Sequence, residues 1–134
     1  MLTGGCQCGA IRYQVAATPS RIYVCHCTEC RAQSSSAFGI SVIVPPDAVS
    51  LTQGAPRVWS RPTASGKLLA CAFCPDCGSR IWHRNAPDAD EMSIKGGSLD
   101  EPVDLTGAVH IWTISKLPGV VIPAGAPHYL RDHD

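Results

Sequence analysis

Apolar residues in this chain come in short runs, many alternating with polar ones, and clusters of turn residues separate the runs. That spacing reads as strands rather than helices. Ile11, Tyr13 and Val15 alternate in the first such segment, and Ile22-Tyr23-Val24 leads straight into a group of cysteines. Phe38 to Val44 is a longer apolar run that Pro45-Pro46 stops. Val49-Ser50-Leu51 and Arg57-Val58-Trp59 are brief strands flanking Gly54-Ala55-Pro56. Leu68 to Phe73 runs into another cysteine group, and Ile81-Trp82-His83 leaves it. Met92-Ser93-Ile94 and His110 to Ile114 are the last predicted strands. Helix is confined to Thr28 to Gln33, with Thr28 as its cap, and to a turn over Pro46 to Val49. Beyond Leu117, the prolines at 118, 123 and 127 predict an extended C-terminal wrap. The expected fold class is all-β, β-rich with little helix.

Composition narrows this picture. The chain has 134 residues, which fits a single domain over 1–134 with a real core. Its 12 Gly and 11 Pro agree with many turns. Lys plus Arg equals Asp plus Glu at 11 each, with no basic stripe, so nucleic acid is not an expected partner. Met1-Leu2-Thr3-Gly4-Gly5-Cys6 lacks the basic start and apolar run of a signal peptide. No stretch approaches the roughly 20 apolar residues of a membrane span. A reducing, cytoplasmic setting is expected, where the 8 Cys point to metal or redox chemistry rather than disulfides.

Three groups hold every cysteine: Cys6-x-Cys8, Cys25-x-Cys27-x-x-Cys30 and Cys71-x-x-Cys74-x-x-Cys77. Zinc takes thiolates at about 2.3 Å in tetrahedral geometry, and a close-set pair can supply two corners from one tight turn. Gly9 follows Cys8 and Gly78 follows Cys77, and glycine permits the backbone reversal that such a knuckle needs. Cys6, Cys8, Cys74 and Cys77 are therefore joined into one closed, structural zinc site. It spans about 70 residues, so the metal contributes to folding by closing a long loop. The fold becomes a small zinc-stapled β-sheet domain with zinc knuckles.

The middle group differs. Cys25, Cys27 and Cys30 supply three ligands, the usual protein share of a catalytic zinc, and the fourth position is left for water or a substrate thiolate. His26, between two of these ligands, is expected to point away from the metal. Cys71 stays open among three readings: a free buried thiol, a fourth ligand closing the second site, or an exchange partner that releases Cys77. Oligomeric state is not legible.

Taken together, the motifs resemble the glutathione-dependent formaldehyde-activating enzyme family, which also includes a centromere-associated protein. The resemblance rests on Gly4-Gly5-Cys6-Gln7-Cys8-Gly9-Ala10-Ile11-Arg12-Tyr13, Cys25-His26-Cys27-Thr28-Glu29-Cys30-Arg31 and Ser36-Ala37-Phe38. It continues in Phe73-Cys74-Pro75-Asp76-Cys77-Gly78-Ser79, Gly97-Ser98-Leu99-Asp100, His110-Ile111-Trp112 and Ser115-Lys116. It implies a β-rich fold with a structural zinc at Cys6, Cys8, Cys74 and Cys77 and a more labile zinc at Cys25, Cys27 and Cys30. The implied activity is condensation of glutathione with formaldehyde to S-hydroxymethylglutathione, named as a carbon–sulfur lyase from its reverse. The chain departs from the family pattern at Cys71, where Arg is usual, at Ser35, where Gly is frequent, and at Gly119, where Trp is common.

Three functions follow as expectations. In the first, the site at Cys25, Cys27 and Cys30 captures a small thiol such as glutathione, lowering its pKa for attack on a small aldehyde. Arg31 and Lys116 are candidate carboxylate partners, and Ser34, Ser35 and Ser36 either bind substrate or satisfy a turn. In the second, the chain is a non-catalytic zinc module for a protein partner. The resemblance supplies that alternative, because the fold is shared with a zinc-containing accessory protein for small GTPases. In the third, the labile site makes a thiol or metal sensor.

Overall fold

The alternating segments become strands in the computed structural model, which describes residues 1–85 and 89–133. In chain order they are β1 (Leu2–Gly5), β2 (Arg12–Val15), β3 (Arg21–Cys25), β4 (Gly39–Val44) and β5 (Val49–Gln53). β6 (Arg57–Pro62), β7 (Leu68–Phe73), β8 (Arg80–Arg84), β9 (Met92–Lys95) and β10 (Val109–Ile111) follow. One α-helix, α1 (Thr28–Ser34), connects β3 to β4. The chain is thus β-rich with little helix.

Two sheets form. The smaller runs β1-β2-β5, and the larger runs β10-β3-β4-β9-β8-β7-β6. Neighbours are antiparallel except β10, which lies parallel to β3. Alternation decides which side chains enter the core, because successive residues of a strand face opposite sides. Val42, Ile94 and Trp82 stand in one row across β4, β9 and β8. They pack with Tyr13 and Val15 of the smaller sheet and with Ile11 just before it. The Tyr13 ring meets Trp82 edge to face at 5.8 Å, and its hydroxyl reaches Ser98 Oγ at 2.6 Å.

The adjacent row, Ile43, Ser93 and His83, faces the other side of the larger sheet. That side is covered as well: every residue of β9 is buried, including Ser93 and Lys95. Helix α1 lies over part of it, seated at Gly39. A Cβ at Gly39 would stand 3.2 Å from Cys30 Cβ and 3.1 Å from Gln33 Nε2, so the bare glycine lets the Cys30 turn rest against the sheet.

Several expectations are corrected. Thr28 is the first helical residue and not the cap; the cap is Cys27, whose Sγ accepts from Cys30 N–H at 3.3 Å. β1 was not predicted, since Leu2-Thr3-Gly4-Gly5 offers one apolar side chain and two glycines. The strand expected from His110 to Ile114 ends at Ile111, because Trp112 turns into the left-handed region at φ 56° and a 3₁₀ turn follows over Thr113–Ser115. The turn expected over Pro46 to Val49 is a 3₁₀ turn at Pro46–Ala48. The C-terminal segment does lie beside β10: His110 N–H donates to Pro127 C=O, and Tyr129 N–H to His110 C=O, both at 2.9 Å.

Candidate metal centres

The first cysteine group is assembled by the turn after β1 and the turn after β7. Gly9 and Gly78 adopt φ of 83° and 81°, and each sends its N–H back to the carbonyl of the group's first cysteine, Cys6 or Cys74. Ile11 N–H donates to Cys6 Sγ at 3.2 Å, and the Ser79 hydroxyl sits 3.2 Å from Cys77 Sγ. Ser79, through its hydroxyl and its amide, draws the Cys77 thiol down to about 5. The sulfurs of Cys6, Cys8, Cys74 and Cys77 all lie within 4.8 Å of one another. Cys6 to Cys8 is 3.6 Å and Cys8 to Cys74 is 3.8 Å. Four thiolates held at about 2.3 Å from one ion would stand about 3.8 Å apart, so these spacings fit a tetrahedral metal. Cys6 and Cys74 belong to the buried core, while Cys8 is exposed.

The second group stands where β3 gives way to α1. Cys25, Cys27 and Cys30 bring three sulfurs within 4.8 Å of one another. Cys27 caps the helix, where amides and the helix dipole favour a thiolate. The neighbouring sulfurs of Cys25 and Cys30 draw its thiol down to about 2, whereas Cys27 and Cys30 push that of Cys25 up. The three lie close enough to titrate as one group. Three close, ionisable thiols are a donor set that suits zinc.

The trio lines a cavity of about 720 Å³ together with Ser41, Arg61, His83 and Ser93. Arg61 of β6 reaches Glu29 of α1 at 3.7 Å beside it. Burial pushes His83 down to about 3, and Lys95, Arg61 and Arg80 add to that, so its imidazole is neutral at pH 7. A second cavity, about 770 Å³, opens on the other flank of α1, lined by Gln33, Ser34, Gly39, Arg80, Lys95 and Gly97 among others. Burial pushes Lys95 below the ordinary lysine value, opposed by the thiols of Cys30, Cys71 and Cys25.

Other residues singled out in the sequence fall elsewhere. Cys71, the candidate fourth ligand, is not gathered with the trio: it is buried on β7, its Sγ 3.7 Å from Leu69 C=O. Lys116 gives its ammonium to Val120 C=O at 2.6 Å and lines neither cavity, nor does Arg31. Ser34 donates to Cys30 C=O at 2.7 Å, a turn bond, and also lines the second cavity. His26 points away from the trio and is fully buried, its Nε2 3.0 Å from His110 Nδ1 and its ring edge-on to Phe38. Lys95, His83 and Arg61 escaped sequence reading. Polar residues alternating with apolar ones read as a solvated face, and only the strand order puts Lys95 and His83 inside a seven-stranded sheet.

No helix among the described residues is long and apolar enough to cross a membrane. Among solved structures, the chain is similar to a Rhodobacter sphaeroides protein determined by crystallography as a Northeast Structural Genomics target. The TM-score is 0.60 at 20% identity, covering 81% of this chain and 98% of that one, a likeness of fold. The family described as glutathione-dependent formaldehyde-activating enzyme matches over residues 1–115. With that match running through both cysteine groups and most of both sheets, the chain belongs to the glutathione-dependent formaldehyde-activating enzyme family.

Proposed function

We propose that this chain condenses glutathione, or another small thiol, with formaldehyde or a small aldehyde, and catalyses the reverse carbon–sulfur cleavage. The observation that carries the reading is the unequal pair of cysteine groups: four sulfurs converge in one and three in the other, beside a cavity. Four donors complete a tetrahedron, so Cys6, Cys8, Cys74 and Cys77 would hold a structural zinc. Cys25, Cys27 and Cys30 would hold a second zinc with one position open to substrate.

When bound there, zinc supplies Lewis acidity that stabilises a substrate sulfur as thiolate near neutral pH. The protein's own residues do the rest. Cys27 is held at the helix cap, where its sulfur accepts from Cys30 N–H. His83, neutral and in the same cavity, supplies a polar wall without adding a charge. Arg61 and Glu29 pair with each other among the residues that line the same cavity. In the forward direction the thiol sulfur forms a bond to the aldehyde carbon and the C=O π pair moves to oxygen. The proton released from the thiol ends on that oxygen, giving the hydroxymethyl thioether. The chemistry needs free thiols, which suits a reducing compartment such as the cytoplasm.

Exchange spectroscopy between free glutathione and its hydroxymethyl adduct tests the reading. The wild-type chain is expected to accelerate interconversion above the spontaneous rate, and Cys27→Ser to abolish that acceleration while keeping the native fold. Equal rates with and without wild-type protein would rule the activity out.

A further inference from the structure

The wall of the trio's cavity carries hydrogen-bonding groups that the protein itself leaves unused. Ser41 of β4 and Ser93 of β9 are only 7% and 8% exposed, and both line that cavity together with His83 of β8. Among the described residues, neither hydroxyl nor the His83 ring takes part in a side-chain hydrogen bond, and none of their polar atoms is sealed in protein as His26 Nδ1 is. The open side of each is therefore the cavity. Buried polar groups are nearly always paired, so a wall of unpaired ones calls for a partner from outside the chain.

Strand register fixes how these groups sit relative to the sulfurs. Cys25 of β3 stands opposite Gly39, and Ser41 follows Gly39 by two residues on the same face of the neighbouring strand. Ser41 is thus the diagonal neighbour of Cys25, at about 7–8 Å in such a pair. Ser93 is opposite both His83 and Ile43, and Ile43 lies two residues beyond Ser41. Cys25, Ser41, Ser93 and His83 therefore share one face of the larger sheet, as a polar file that starts beside the trio. Lys95, the register partner of Ser41, lines the other cavity.

The file is uncharged. Hydroxyls are neutral, and burial keeps the His83 imidazole neutral as well. The charged groups lining the same cavity are more open to water: Glu29, Glu91 and Asp132 are exposed and Arg61 is half-buried. A thiol with charged ends, such as glutathione, finds counter-charges there, whereas the file suits an uncharged reactant. Of the two reactants the aldehyde is the uncharged one, and its oxygen takes up an electron pair as the sulfur adds. A fixed donor shielded from water is most effective at an atom where such charge develops.

We propose that Ser41 donates a hydrogen bond to the aldehyde oxygen, with Ser93 and His83 extending the same uncharged subsite. The inference rests on the reading that a thiol held at Cys25, Cys27 and Cys30 adds to an aldehyde, and it names where the aldehyde lies. The sulfur forms a bond to the carbonyl carbon, the π pair moves to oxygen, and the thiol proton ends on that oxygen. Ser41 keeps its own proton throughout.

The test follows interconversion of glutathione and its hydroxymethyl adduct by exchange spectroscopy, with glutathione and formaldehyde varied separately. Removing one oxyanion donor typically lowers kcat by about 100–1000-fold, and Ser41→Ala is expected to lose about that much. Ser93→Ala, further from the trio, should lose less, and Ser41→Thr, which keeps the hydroxyl, should recover most of the rate. In Ser41→Ala, glutathione affinity by calorimetry and metal content should match wild type. Its melting point should not fall, because no protein partner is lost. A wild-type rate in Ser41→Ala overturns the inference alone, since the hydroxyl would then meet only water. So does a loss confined to glutathione affinity, which would give the file to the thiol, or a clearly lower melting point, which would make Ser41 structural. No acceleration by the wild-type chain overturns the proposed reaction, and this inference with it.

Discussion

Ser35 shows how much one backbone angle can reveal. It ends α1 at φ 50°, ψ 41°, the left-handed conformation in which a side chain is strained, and it is exposed there. The sequence marked this position because family members often carry Gly, and the geometry gives the reason. Ser35→Gly should raise stability by up to about 1 kcal/mol, read as a melting point higher by a few degrees; a lower one would refute the strain. His83 makes a second test. Folded, it stays neutral down to about pH 3, whereas an unfolded histidine takes up a proton near pH 6.5. Between those values the unfolded state binds more protons, so stability rises with pH and falls on acidification. His83→Gln should flatten the slope of stability against pH between about 6.5 and 5, and an unchanged slope would show that His83 does not carry it. The cysteines were legible individually because their spacing is chemical. Lys95 and His83 were not, since a single polar residue on a strand looks the same whether its face meets water or protein.

At the scale of elements, period-two alternation located most strands, because Ile11, Tyr13 and Val15, or Val42 and Val44, must all point one way to form the core. It failed where backbone conformation overrode side-chain pattern, as at Trp112, whose left-handed turn ends β10 inside an apolar run. It also could not see how α1 is held. The helix is seven residues long and buries none of them, so propensity alone would not keep it folded. Its place is fixed by the Cys27 cap and by contact with β4 at Gly39. Gly39→Val should therefore shift Cys30 and weaken metal at the trio by about 10–100-fold while sparing the four-cysteine group. Metal titration of the variant checks this, and equal affinity at both sites in variant and wild type would show that Gly39 does not position Cys30.

Across the whole molecule, the two cysteine groups divide between core and cavity. Cys6 and Cys74 are part of the packed interior shared by both sheets, and Cys8 and Cys74, 66 residues apart in sequence, stand 3.8 Å apart. Structural zinc sites are worth about 10–16 kcal/mol in small metal-dependent folds, against a total stability of about 5–15 kcal/mol for a typical protein. Losing even part of the first exceeds much of the second. Cys74→Ser should leave the chain largely unfolded by circular dichroism, whereas Cys27→Ser, outside that core, should melt near the wild-type temperature. The joining of Cys6 and Cys8 to Cys74 and Cys77 was readable from their paired knuckles. The strand order that carries His83 to the trio's cavity was not, because long-range pairing leaves no local trace in sequence. Zinc analysis of the freshly purified protein, before and after a mild chelator, tests the division most directly. One ion per cysteine group is predicted, with the ion at Cys25, Cys27 and Cys30 removed first and the fold retained. Protein without bound zinc, or with two ions that leave together as the chain unfolds, would contradict it.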